Sequence, residues 1–158
     1  MPIECKVTTI STWLAPITVV ETARGVRFVD LDDGARQFRR EAAGEYIRVP
    51  GEAEAADELC RYFAGELHVF SVPLDLCGTP FQLRCWEAMR GIPYGQTITY
   101  AQEGLMAGTR GFQAVGQANR KNPVPILVPC HRVVSLSGPG GYFGDRLDRK
   151  KQLLEFEG

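Results

Sequence analysis

The 158-residue chain has no Cys-x-x-Cys pair, only two histidines, and no apolar run approaching the ~20 residues that a membrane span requires. Each absence excludes something. Its five cysteines, Cys5, Cys60, Cys77, Cys85 and Cys130, form an odd set without framework spacing. That argues against a disulfide scaffold and for a reducing compartment with at least one free thiol. A zinc site in the first half would have to draw on Cys5, Cys60 and His68, but no pair among them has ligand spacing, so no metal is expected. The start of the chain lacks the charged-then-apolar pattern of a secretion signal, and no repeat or low-complexity segment is visible. The expected protein is soluble and intracellular, in the cytoplasm, with ordinary globular composition and enough length to bury a core.

Charge is present but unevenly placed. The formal net charge is −1, yet between Leu105 and Lys151 eight basic side chains stand against two acidic ones, a local +6. Such a stretch suits a phosphate backbone, although a solvated basic face has the same composition.

The pattern predicts an α+β protein in two parts, an amino-terminal α/β structural domain over 1–76 and a mainly helical domain over 77–158. In the first part, Thr18 to Glu21 and Val26 to Leu31 read as strands of a hairpin turning at Ala23-Arg24-Gly25. A helix is expected over Glu52 to Ala64, then a strand over His68 to Leu74. In the second part, Thr79-Pro80 offers a cap and first-turn proline for a helix carrying Trp86, with Trp86 and Met106 assigned to the core. A short helix beginning near Thr99 ends at Ala107-Gly108. Thr109 can then cap a second helix from Arg110 to Arg120, with Phe112 and Val115 available for the core. Two short helices around a tight glycine-containing turn satisfy the requirements of a helix-turn-helix, and the small residues Ala114, Gly116 and Ala118 would permit close approach to a groove.

The strongest chemical signal is Pro129-Cys130-His131-Arg132-Val133, delivered by the apolar, proline-punctuated run Val124 to Val128, which reads as a buried extended segment. A free cysteine most often serves as a small buried hydrophobe. As a nucleophile it needs thiolate character from a neighbouring cation, helix end or base, for which His131 and Arg132 are candidates. On an extended strand, however, consecutive side chains point to opposite faces, so His131 would reach the thiol only through a water.

The run from Asn122 through Pro129-Cys130-His131-Arg132-Val133 closely resembles the active-site signature of O6-alkylguanine-DNA alkyltransferases. The likeness covers about the last eighty residues, including Phe81, Trp86, Ile92-Pro93-Tyr94-Gly95, Ala114-Val115-Gly116, Gly141-Tyr142, Arg149-Lys150 and Leu153-Leu154. The resemblance implies a ribonuclease H-like first domain and a helix-turn-helix entering the minor groove of double-stranded DNA. It further implies a base flipped beside the cysteine and irreversible transfer of the alkyl group from O6-alkylguanine, with O4-alkylthymine as a further substrate. No cofactor is required. Carried over residue by residue, Cys130 is the acceptor, His131 acts through water, and Glu157 orients it, with Glu155 as the competing choice. Asn122 braces the turn, and Tyr100 donates to the leaving guanine. Tyr142, Phe143, Gly144 and Val133 line the alkylguanine pocket, and Gln113, Ala114, Gly116, Arg110, Arg120 and Arg132 meet DNA.

One residue departs from the family pattern. Gln113 stands where these proteins usually have an arginine that fills the gap left by the flipped nucleotide; glutamine can hydrogen-bond an orphaned cytosine but lacks the planar cation, and Arg110 is the candidate to compensate. The expected protein is a monomer, with cooperative binding along DNA left open. Two other readings are a non-catalytic sensor of alkylated DNA, against which the presence of Cys130 argues, and a thiol hydrolase using Cys130 and His131.

Overall fold

A computed structural model describes residues 2–31, 45–136 and 147–158, in two compact units, Met1–Cys77 and Gly78–Gly158. The first contains β1 (Ile3–Ile10), β2 (Ile17–Thr22), β3 (Gly25–Asp30), β4 (Tyr46–Arg48) and α1 (Ala55–Phe63). The strands form one sheet in the order β3-β2-β1-β4, antiparallel except for the β1–β4 pair. Ile17 to Val20 of β2 are buried without alternation, as a strand covered on both faces requires. Cys5 lies in the core with Val20 and Phe28, whereas Cys60 is exposed. Helix α1 takes its amino-terminal cap from a distant strand: the amides of Glu54 and Ala55 donate to the Glu21 carboxylate of β2 at 3.0 and 3.2 Å.

The stretch expected as a strand over His68 to Leu74 makes only an isolated bridge, Leu74 to Val26. Pro73 has no amide to continue a ladder and offers only its carbonyl, which accepts from Val26 at 2.9 Å. Gly25 permits this approach, since a Cβ there would stand 2.4 Å from the Pro73 oxygen.

The second unit contains α2 (Pro80–Arg90), β5 (Ile98–Thr99), α3 (Tyr100–Met106), α4 (Phe112–Arg120), a 3-10 turn at Cys130–Arg132, β6 (Val133–Val134) and α5 (Leu147–Glu157). Reciprocal capping boxes, Thr79 with Gln82 and Thr99 with Gln102, start α2 and α3. Helices α3 and α4 form the expected helix-turn-helix, whose turn folds so closely over Gly104 that a Cβ there would meet the Thr109 carbonyl at 3.1 Å. Thr109 does not cap α4. Its hydroxyl accepts from the Gly111 amide inside the turn, and the helix starts at Phe112 without a side-chain cap. Trp86 of α2 is buried and donates to the Ala118 carbonyl at 2.9 Å, fixing α4 against α2. Parallel pairing of β5 with β6, Ile98 to Val133 and Thr99 to Val134, ties the start of α3 to the residues just after Cys130. No helix among the described residues is long and apolar enough to cross a membrane.

Candidate active site

The segment leading to Cys130 is a buried turn, not the extended strand expected. Three prolines, at 123, 125 and 129, withhold amide donors, and local hydrogen bonds hold the rest of the turn. Val128 N–H donates to the Val124 carbonyl at 2.9 Å, while Ile126 takes a φ of +75°, a conformation β-branched residues rarely adopt. Asn122 holds the turn from both sides: its Nδ2 donates to the Val128 carbonyl at 2.8 Å and its Oδ1 accepts from Val124 N–H at 3.0 Å. Cys130 then opens the 3-10 turn, its amide bonded to the Val128 carbonyl at 2.8 Å.

In that turn His131 is fully buried, and its Nε2 lies 2.8 Å from Oε2 of Glu157. Arg132 grips the same carboxylate, through Nε to Oε1 at 2.8 Å and Nη2 to Oε2 at 2.9 Å, and donates from Nη1 to the Ile92 carbonyl at 2.8 Å. An ionised carboxylate only accepts, so the neutral His131 ring carries its proton on Nε2 and presents Nδ1 as a lone pair. Among the described residues that buried Nδ1 has no hydrogen-bond partner. Burial keeps the imidazole below its ordinary pKa, and the Glu157 hydrogen bond and charge only partly oppose it. Glu155 is exposed, so Glu157 is the carboxylate that meets His131.

The Cys130 thiol is 6% exposed, and burial pushes its pKa up to about 11 against the opposing pull of Asn122 and Lys150, with Glu103 adding to the rise. At neutral pH it is a thiol, and a base must take its proton during reaction. Lys150 of α5 is completely buried. Its ammonium donates to the Val133 carbonyl and, at 3.4 Å, to the Tyr100 hydroxyl, and it stands 5.5 Å from that ring's centroid. Desolvation draws its pKa down to about 8, while Cys130 and Glu103 favour the charged form. Glu103 is also fully buried, bonded at Oε1 to Asn119 Nδ2 at 2.7 Å, and burial raises its pKa to about 7. Cys130, Tyr100, Asn119, Gln113, Arg120 and Phe112 share a cavity of about 420 Å³, within the size range of small-ligand sites.

Both units of the chain match a known protein family. The DNA binding domain of the 6-O-methylguanine DNA methyltransferase family matches residues 80–158, and the family's ribonuclease-like domain matches residues 5–76. The chain belongs to that family. The methylated-DNA–protein-cysteine methyltransferase of Mycobacterium leprae is 51% identical over 106 residues, covering 66% of this chain and 64% of the relative, just under two thirds of its length. The corresponding protein of Methanosarcina acetivorans is 37% identical over 150 residues, 92% of this chain and 93% of its own. The crystal structure of Mycobacterium tuberculosis O6-methylguanine methyltransferase superposes with a TM-score of 0.85 at 38% identity, covering 97% of this chain and 92% of that one. The structure of the M. tuberculosis OGT protein in complex with DNA gives 0.82 at 38% identity, covering 98% and 92%.

Within this methyltransferase-family chain, Cys130, His131, Glu157, Asn122 and Tyr100 converge in the second unit, and Val133 is buried in β6 with its carbonyl on Lys150. Tyr142, Phe143 and Gly144 lie outside the described residues. Arg110, Gln113, Ala114 and Arg120 are exposed around α4, and Gly116 is half-buried. Arg132, expected on DNA, is instead 6% exposed with its guanidinium committed to Glu157 and Ile92, because a buried carboxylate needs a counter-charge more than the surface needs another cation. Met106 and Phe112, expected in the core, are 57% and 58% exposed. Sequence reading gave no role to Lys150 or Glu103. Lys150, Leu153 and Glu157 fall at i, i+3 and i+7 on α5, all buried, and that spacing was the available signal.

Gly116 stands out because a Cβ placed there would meet nothing within 4 Å. No internal packing requires this glycine, and in mid-helix it costs roughly 1 kcal/mol relative to alanine. Gly116→Ala is expected to raise thermal stability while weakening affinity for duplex DNA. Unchanged DNA affinity in a titration would remove Gly116 from the binding face.

Proposed function

We propose that this protein repairs duplex DNA by moving the alkyl group of O6-alkylguanine onto Sγ of Cys130, once per molecule. The observation that carries the reading is the Asn122-braced turn, which brings Cys130 to the cavity wall with the His131–Glu157 pair on its own turn and Tyr100 in the same cavity. A bridging water passes the Cys130 proton to Nδ1 of His131, and the Glu157 carboxylate stabilises the imidazolium that forms. The thiolate attacks the alkyl carbon in line. The S–C bond forms, the C–O6 bond breaks, and the electron pair leaves on the guanine, which takes a proton from the Tyr100 hydroxyl. Lys150 beside that hydroxyl supports the developing phenolate.

The product is a thioether with no leaving group that water can displace, so the protein is consumed. The reactive carbon is inaccessible within a stacked duplex, and the base must be extruded into the cavity. The exposed face of α4 is the surface we assign to the minor groove, with Arg110 and Arg120 toward phosphate. The family assignment and the DNA complex of the M. tuberculosis relative support this reading. Intact-protein mass after incubation with an O6-methylguanine duplex tests it. Wild type is expected to gain one methylene and Cys130→Ser nothing; tight binding of damaged DNA without a mass gain would replace repair by sensing.

A further inference from the structure

Extruding a base leaves a gap in the duplex, and an empty gap forfeits the stacking on both of its sides. Proteins that open steps from the minor groove commonly fill them with an apolar side chain. On the exposed face of α4 the residues available are Phe112, Gln113, Ala114, Gln117 and Arg120. Phe112 is the only flat apolar group among them. It is the first residue of the helix, 58% exposed, and lines the cavity that holds Cys130. The inward side of α4 is already filled by Val115 and Ala118, at 0% and 3% exposure, and most of the Phe112 side chain is left outside that core. Leu136, 94% exposed, adds a second apolar group to the same cavity.

We infer that Phe112 is the wedge of this protein, entering the base stack at the position vacated by the extruded guanine and stacking on the bases that flank it. The inference rests on the repair reading above and names the residue that makes extrusion favourable. Gln113 beside it is left to hydrogen-bond the orphaned partner base, a task for which an amide suffices. Phe112 is a positioning residue, since it touches neither the alkyl carbon nor the thiol.

The test compares single-turnover rates on two substrates, an O6-methylguanine duplex and the free base O6-benzylguanine, which needs no extrusion. In Phe112→Ala the ratio of duplex rate to free-base rate is expected to fall roughly ten- to a hundred-fold, the effect of one lost aromatic–base stack, and Phe112→Trp is expected to preserve it. An unchanged ratio in Phe112→Ala overturns the inference, including the case in which both rates fall together. A second measurement keeps the two readings apart. With 2-aminopurine beside the lesion and Cys130→Ser as the background, the bound complex is expected to stay quenched with Phe112 and brighten with Phe112→Ala, and equal fluorescence overturns the wedge. A wild type that transfers from neither substrate defeats the repair reading instead.

Discussion

Glu157→Gln is expected to slow alkyl transfer by roughly two to four orders of magnitude, even on a free-base substrate that bypasses DNA. The exchange preserves shape and removes only charge and acceptor identity. The new amide nitrogen donates, so it favours the His131 tautomer with a bare Nε2 and places the proton on Nδ1, where the base is needed; loss of tautomer control in a comparable triad costs about 10⁴. Arg132 is left as a buried guanidinium without its counter-ion, and a broken pair of that kind costs about 3–5 kcal/mol of stability. Urea unfolding of Glu157→Gln and of Glu157→Gln with Arg132→Met separates the two effects. The double variant is expected to recover stability but not rate. The pH profile gives a further check. Because burial depresses the His131 pKa, the neutral base persists as pH falls below its ordinary 6.5, and the acid limb of the wild-type rate is expected below that value. A limb above 6.5 would show that Glu157 outweighs desolvation. Equal rates for wild type and Glu157→Gln would remove His131 from proton transfer altogether.

Asn122→Ala is expected to be nearly as severe by another route. It deletes two buried hydrogen bonds at once, leaving the Val128 carbonyl and the Val124 amide unsatisfied, at about 1–3 kcal/mol for each group. The turn over 123–129 then loses the side chain that bridges its two ends, and Cys130 loses a contact that favours its thiolate. A misplacement on the order of 1 Å at a nucleophile costs about a hundred-fold in rate. Alkylation of Cys130 by a small electrophile across pH reads the second effect, and its midpoint is expected to move upward. Asn122→Asp keeps an acceptor for Val124 but sets a negative charge near the thiol, and its midpoint is expected to move further in the same direction. Unaltered thiol reactivity in both variants would confine Asn122 to holding the fold.

The parts of this structure that were legible in the sequence are those fixed by local chemistry. The hairpin around Ala23-Arg24, the Thr79-Pro80 helix start, the buried Trp86 and the glycine-containing turn between α3 and α4 depend on residues within a few positions of one another. The turn over 123–129 was misread because a run of β-branched and apolar residues has the composition of a buried strand. The Asn122 side chain bonds to both ends of the turn, and these side-chain hydrogen bonds override strand propensity there. Arg132 and Lys150 were misplaced or overlooked for a related reason. Charged residues are seldom fully buried, and the groups that make burial tolerable, Glu157 and the Ile92 and Val133 carbonyls, are 17 to 40 positions away in sequence. Phe112 and Met106 show the converse: an apolar residue left exposed on a helix carries the same periodic signal as one that meets the core.

The closed setting of Cys130 also bears on how long an unused molecule stays usable. Peroxides and stray electrophiles consume cysteines as thiolates, and burial holds the Cys130 group in its thiol form at neutral pH. Cys60 and Cys77 lie exposed and meet such reagents first. If each molecule reacts once, as proposed, it has no later turnover in which to make good an accidental oxidation. In the proposed reaction, the burial that makes Cys130 dependent on His131 therefore also preserves the stock of copies waiting for damage.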